Sequence, residues 1–276
     1  MLERITPLVL TFNEAPNIGR TLGQLGWARD IVVVDSFSSD DTLEIISRFP
    51  QVRLYQRKFD RHDLQWDFAL KQTCISTDWV MALDADFMLS PLLIDEIKNL
   101  EPEDAAKGYC ARLIFCINGK HIRSSLCPPA TFLYRRASAN YVQDGHTQKL
   151  KLDGRVDLLT APIVHDDRKS LSRWVISQKQ YAILEAEKIR KVPLRKLDFA
   201  DRIRKLGFVA PPAIFVYCFI VRGGVLDGWA GFYYAFQRVV AEALLTRYLI
   251  AAILNRVLGR HSVDAKPWTD QDISLS

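Results

Sequence analysis

The sequence predicts an α/β fold: a mostly parallel sheet flanked by helices, followed by a helical C-terminal region. Three observations lead there. Short aliphatic runs alternate with helical patterns through roughly the first hundred positions, several of those runs stop on polar or acidic residues, and the last third of the chain turns basic and aromatic. Ile5 to Phe12 reads as a strand entering Asn13-Glu14, with a helical pattern from Asn17. Ile31 to Val34 is a second strand ending on Asp35, and Ser36, Ser38, Ser39, Asp40 and Asp41 supply a turn and a cap for a helix over Thr42 to Phe49. A third strand covers Val52 to Tyr55, and a helix from about Leu64 to Cys74 leads into the apolar run Trp79 to Leu83, which stops on Asp84-Ala85-Asp86. The charged stretch Arg57 to Asp63, with His62, reads as a loop over the crevice, and Arg112 to Arg123 as a hairpin turning at Asn118-Gly119.

Strands joined by helical crossovers lie parallel, so Asn13, Glu14, Asp35, Asp84 and Asp86 are expected along one edge of one sheet, where open α/β sheets bind ligands. Two carboxylates one residue apart suit a hard divalent cation shared with substrate phosphates, although Asp is also common as a helix cap. No Gly-x-Gly-x-x-Gly follows the first strand, and neither a P-loop nor a Gly-x-Ser-x-Gly elbow occurs. Phosphates would be met by a metal and by Arg57 or Lys58, which favours group transfer from a phosphorylated donor. An aspartyl-phosphate reaction at Asp84 is the competing chemistry; Met88 stands where it would want a hydroxyl.

Thr11-Phe12-Asn13-Glu14 with Asn17-Ile18, Val33-Val34-Asp35-Ser36 with Ser39-Asp40-Asp41-Thr42, Gln65 with Ala69-Leu70, and Trp79 to Asp86 together resemble a family 2 glycosyltransferase of the GT-A fold. The second half resembles bacterial lipopolysaccharide core glucosyltransferases at His146, Lys149-Leu150, Gly154, Ile163-Val164-His165, Ser170 to Trp174, Lys179 to Ala182 and Gly223 to Gly231. The resemblance implies an inverting transfer of a hexose from a nucleotide sugar, in the first instance a UDP-sugar, to a lipid-linked saccharide. It also implies roles. Thr11, Asn13, Glu14 and Asp35 would line the nucleoside pocket, with Arg57 and Gln65 also on the donor; Asp84 would meet the ribose or the metal; and Asp86 would bind Mg2+ or Mn2+. A glycosyltransferase domain would cover residues 1–168, its nucleotide-sugar half about 1–100 and its acceptor half about 101–168. A membrane-associating region would follow over 169–260, and a tail over 261–276.

Inversion needs a base for the acceptor hydroxyl. Where the similar subgroup carries Glu after the histidine, this chain has Thr147, so Asp144 is the candidate base; Asp144-Gly145 is equally a turn signal. His146 and His165 are candidates for a diphosphate or metal contact. A polyprenyl phosphate, already ionised, would need no strong base and is the alternative acceptor. A catalytically silent adaptor with the same fold is the other reading that Thr147 admits.

At 276 residues, 49% hydrophobic and 25% charged, the chain can bury a sizeable core. Its five cysteines form no Cys-x-x-Cys pair and read as buried thiols. Ile5 opens the first strand at once, which leaves no room for a signal peptide, so a cytoplasmic location is expected. The basic cluster Lys188 to Lys205 adjoins the apolar run Leu206 to Val221, too short and too proline-broken at Pro211-Pro212 to span a bilayer. Trp229 to Leu254 then mixes aromatics with Arg238, Glu242 and Arg247. That pattern suits peripheral attachment to an anionic surface, the inner face of the cell membrane; a helical subdomain packed on its own core is the plainer alternative. The net charge of +5 comes without a nucleic-acid-binding motif, so nucleic acid is not an expected partner.

Overall fold

The computed structural model describes residues 1–101, 105–144 and 147–258; the side chains of Gln143, Asp144, Thr147, Arg256 and Val257 lie outside that description. The chain divides into two compact units, one of residues 1–121 and 127–169, the other of residues 122–126 and 170–276.

In the first unit the parallel strands are β1 (Ile5–Thr11), β2 (Ile31–Asp35), β3 (Val52–Gln56) and β4 (Trp79–Asp84), joined by α1 (Ile18–Gly23), α2 (Thr42–Ser47) and α3 (His62–Lys71). After β4 come β5 (Phe87–Leu89), α4 (Pro91–Lys98), β6 (Ala106–Ala111), the hairpin β7 (Leu113–Ile117) and β8 (Lys120–Ile122), then β9 (Ala130–Arg135), β10 (Ala139–Asp144), β11 (Thr147–Leu152), β12 (Arg155–Leu158) and β13 (Ile163–His165). The main sheet runs β12-β6-β9-β4-β1-β2-β3, with β9 antiparallel to both neighbours. A smaller sheet runs β5-β13-β7-β8, and β10 and β11 form a separate antiparallel pair. Mixed pairing on the β9 side and parallel pairing on the β1 side make the α/β architecture expected from the alternation.

The central strands are apolar on both faces because helices cover both: Ile31 to Val34 and Trp79 to Leu83 are buried throughout. One core lies under Val9, Val33, Trp79, Met81 and Phe132, the other under Leu8, Val34, Trp66, Val80 and Tyr134. Arg135 lies over the Trp79 ring at 5.0 Å. Trp66 of α3 stacks on Tyr141 of β10 at 5.5 Å, which docks the β10–β11 pair on that helix. Asn118 (φ 47°) and Gly119 (φ 81°) both take the left-handed conformation, as a two-residue hairpin turn requires. Two expectations are corrected: of the five cysteines only Cys116 and Cys218 are buried and Cys74 is exposed, and His62 is not in a loop but opens α3, because Arg61 ends the extended segment and Asp63 contributes an acid to the first turn.

In the second unit, α5 (Leu171–Lys191), α6 (Phe199–Arg204), α7 (Ala210–Val216) and α8 (Trp229–Val257) surround a small core of Ala186, Ile189, Leu197, Leu245 and Leu249. Pro211 and Pro212 sit in the first turn of α7, where missing amide donors cost nothing. The Gly223–Gly231 stretch is a tight corner. A Cβ on Gly231 would lie 2.0 Å from the Gly224 carbonyl oxygen, and the buried Asp227 carboxylate accepts from Arg123 N, Ser124 N and Ser124 Oγ at 2.8, 3.2 and 3.1 Å. Among the described residues, no helix is long and apolar enough to cross a membrane.

Candidate active site

Register brings the acidic strand ends together. Thr11 on β1 pairs with Asp35 on β2, Asp35 with Gln56 on β3, and Leu10 with Asp84 on β4. These neighbours share one edge of the sheet, where strands give way to loops.

On the β1–β2 side the predicted donor residues form one buried hydrogen-bonded nest. Thr11 Oγ1 donates to Asp35 Oδ1 at 3.0 Å, Ser38 N to Asp35 Oδ2 at 2.8 Å, and the Ser38 hydroxyl to Asp35 Oδ1 at 2.5 Å. Asn13, at φ 52°, donates its amide to Ser38 Oγ at 2.7 Å and accepts from Ser39 N on Oδ1 at 2.7 Å. Asp35 thus acts through the loop it holds: it is wholly buried, and its oxygens are occupied by Thr11, Ser38 and Gln56. Arg57 and Gln65 join from the next connection. Arg57 Nη1 donates to Gln65 Oε1 at 2.5 Å, Gln65 Nε2 to Ser36 Oγ at 3.1 Å, and Arg57 also forks onto Asp60 at 2.9 Å.

The Asp-x-Asp turn carries the charge. Asp86 is 8% exposed, with Oδ2 3.0 Å from His165 Nε2, while its Oδ1 is buried without a hydrogen-bond partner. Burial works against the Asp86 charge, but the His165 imidazolium and its hydrogen bond, with help from Lys169, hold the carboxyl at about 2. For His165 burial likewise opposes the charge and is outweighed by Asp86, so its pKa stands well above the usual imidazole range. The pairing of β13 with β5 sets this geometry: His165 faces Phe87, and its ring meets Phe87 and Phe115 edge-on at 5.6 and 4.8 Å. Asp84 keeps a solvent-facing surface, yet enough protein surrounds it that lost hydration, then repulsion from Asp86, raises its carboxyl to about 6.

Glu14 is not open to a ligand on both oxygens. It accepts from Lys169 Nζ at 2.6 Å and from Asn17 Nδ2 at 2.9 Å, and burial, only partly offset by Lys169, raises it to about 7. Lys169, Asp166, Asp167 and Arg168 were not singled out from the sequence. Their signal is a four-residue charged run directly behind the strand that ends on His165. Asn118, Gly119, Asp167, Arg168 and Lys169 border a polar cavity of about 350 Å³. Burial, then the hydrogen-bonded Tyr134, and last the charge of Asp84 hold the Tyr141 phenol on β10 well above its usual pKa. Asp144 closes that strand opposite Thr147; its side chain lies outside the described residues, as does His146 altogether.

A divalent cation fits the residues present. Among the described residues no three His, Cys, Asp or Glu side chains converge on a metal site; Asp84 and Asp86 are the carboxylates at this edge that could hold one. The orphaned Asp86 Oδ1 is a hard, ionised donor of the kind such an ion needs.

The sequence is similar to those of known glycosyltransferases. An uncharacterized glycosyltransferase of Rickettsia felis is 23% identical over 268 residues, 90% of this chain and 92% of its own length. The lipopolysaccharide core biosynthesis glycosyltransferase LpsC of Rhizobium meliloti is 24% identical over 280 residues, 98% of this chain and 97% of its own. The S. aureus TarS 1-349 structure in complex with UDP-GlcNAc superimposes with a TM-score of 0.49 at 13% identity, covering 94% of this chain and 93% of that one. The glycosyl transferase family 2 model matches residues 8–145, half of the sequence, and the chain belongs to that family of glycosyltransferases.

Proposed function

We propose that this glycosyltransferase moves a hexosyl group from a UDP-sugar to a lipid-linked saccharide, with inversion, and that Mg2+ or Mn2+ assists. The observation that carries the reading is Asp86: buried, ionised, braced by His165 on one oxygen and unpartnered on the other, one residue from Asp84. The cation would neutralise charge growing on the departing diphosphate. Asp84 and Asp86 would hold it, the nest of Thr11, Asn13, Asp35 and Ser38 would shape the nucleoside side, and Arg57 and Gln65 would flank it. Asp144 would take the acceptor proton from the β10 side. The name of the similar LpsC protein supports a lipopolysaccharide core as acceptor.

A lipid-borne acceptor calls for a membrane surface, and the second unit offers suitable groups. Phe199 and Phe208 are each 79% exposed, Leu226 is 74% exposed and Leu206 is 65% exposed, within reach along the chain of the exposed Arg195, Lys196, Arg202 and Lys205. Exposed aromatics beside cations suit attachment to the anionic inner leaflet, each cation near the surface being worth about 1 kcal/mol.

Incubating the protein with UDP-hexoses, Mn2+ and delipidated or intact core lipopolysaccharide tests the reaction. Metal-dependent release of UDP, lost in Asp86→Asn, is the expected result; equal turnover in that variant would refute it. Sedimentation with anionic vesicles, weakened when Arg195, Lys196, Arg202 and Lys205 are changed to Glu, tests the attachment.

A further inference from the structure

One polar stripe on α1 reaches both arms of the charged site, the segment around Asp86 and the segment after His165. Asn17 occupies the N-cap position, and Arg20, Thr21 and Gln24 follow at helical spacing. Thr21 is 2% exposed and shares its one hydroxyl proton between the Ala85 carbonyl at 2.5 Å and the Phe87 carbonyl at 3.2 Å, the carbonyls of the residues before and after Asp86. Gln24 accepts from Leu89 N one strand position further on. Arg20 reaches the other arm: Nη1 donates to Asp166 Oδ2 at 2.7 Å, while Nη2 donates to Asp166 O and to Asn17 Oδ1, each at 2.7 Å. Asn17 donates Nδ2 to Asp167 Oδ1 at 3.0 Å and accepts from Arg168 N at 3.0 Å. The two arms also meet directly, Asp166 N donating to Asp86 O at 3.1 Å.

We propose that Asn17, Arg20, Thr21 and Gln24 are positioning residues that fix the Asp84–Asp86 turn and the His165–Lys169 segment as one preset frame for a metal–nucleoside diphosphate. This rests on the metal-dependent reading above. None of the four touches the reacting atoms. Their effect is to keep Asp86 Oδ1 aimed and Lys169 beside Glu14, so that binding does not have to order either arm. The stripe does fasten α1 to β5 of the smaller sheet, but fastening alone does not require the contacts it also makes to the residue before Asp86 and to a segment 146 and 150 positions away in sequence.

The experiment measures Mn2+ affinity by the electron spin resonance signal of free Mn2+, with UDP present, for wild type, Thr21→Val, Thr21→Ser and Arg20→Lys, alongside their melting temperatures. Thr21→Val keeps the shape and removes the hydroxyl. About a tenfold weaker Mn2+ affinity is expected, the range found for partners of metal ligands, with recovery in Thr21→Ser. Arg20→Lys keeps the charge, loses the fork, and is expected to weaken UDP binding at saturating Mn2+ by a similar factor. Lower melting temperatures with unchanged affinities for the folded protein would assign the stripe to stability alone and overturn the inference. Wild type that binds no Mn2+ with UDP would overturn it together with the proposed function. Wild type that binds both and transfers no sugar would remove the function and leave the frame standing.

Discussion

Replacing Glu14 by Gln sets ion pairing with Lys169 against the cost of burying a carboxylate. A carboxylate 2.6 Å from Lys169 Nζ, with side chains 12% and 20% exposed, invites the conclusion that losing it costs the 3–5 kcal/mol typical, very roughly, of a broken buried pair. The balance of burial and charge says otherwise. Burial outweighs Lys169 and raises Glu14 from 4.5 to about 7, so near neutrality the carboxyl is about half protonated in the folded protein and burying its charge has used up the gain from the pair. A folded-state pKa above the unfolded one gives stability that is fully present below pH 4.5 and is lost as pH rises through 7. A shift of that size is worth about 3 kcal/mol in full, and roughly 2–3 kcal/mol of it disappears between pH 5 and pH 8. Gln cannot titrate, so Glu14→Gln lacks that loss. Relative to wild type the variant is expected to gain about 2–3 kcal/mol on going from pH 5 to pH 8, and Asp84 cancels to first order because both proteins carry it. Urea unfolding at the two pH values, with m-values checked for equality, reads the difference directly. A variant that loses ground as pH rises would show that the Lys169 pair dominates and that the desolvation argument is wrong.

Three further outcomes are expected. Asp86→Asn removes one charge from the cation site, worth about 4 kcal/mol per unit of cation charge at 4 Å and an effective dielectric of 20, so Mn2+-dependent turnover should fall by at least about three orders of magnitude. Glu242→Gln takes away a carboxylate that Arg204 grips at 2.8 Å, and should cost about 3 kcal/mol in urea unfolding, the lower part of the range because Asp201 remains at 2.8 Å. Gly231→Ala drives a methyl into the Gly224 carbonyl and should lower the melting temperature severely, whereas Gly223→Ala, at φ 75° with Leu226 Cδ1 at 3.8 Å as the nearest atom, should cost about 1 kcal/mol.

The parallel half of the sheet was legible because β1, β2 and β4 are buried on both faces and read as unbroken aliphatic runs. Their ends were legible too: Asp35 closes β2 and Asp84 closes β4, each where the apolar run stops. β6, β9 and β12 were not assigned: β6 mixes small and polar residues, the apolar run of β9 is only Phe132 to Tyr134, and β12 is four residues long with two of them charged, so neither period nor length marks them. His62 was misplaced because a dense run of charges resembles a loop, while local ion pairs such as Arg61–Asp63 at 2.5 Å let the same residues start a helix.

The site divides along the same line. Which acids reach the sheet edge follows from strand periodicity, a local property of the chain. Which groups neutralise them does not, because the partner of Glu14 is Lys169, 155 positions away, and that of Asp86 is His165, 79 positions away. Buried carboxylates must be paired, hydrogen-bonded or protonated, so each acid read from the sequence implied a partner without naming it. Among the described residues two acids of the site keep an unpartnered buried oxygen, Asp86 Oδ1 and Asp166 Oδ1. Asp35 is satisfied by its own loop and Glu14 by Lys169 and Asn17, and of the two orphans only Asp86 stands one residue from a second carboxylate at the sheet edge, Asp84, which is the arrangement that the proposed cation calls for.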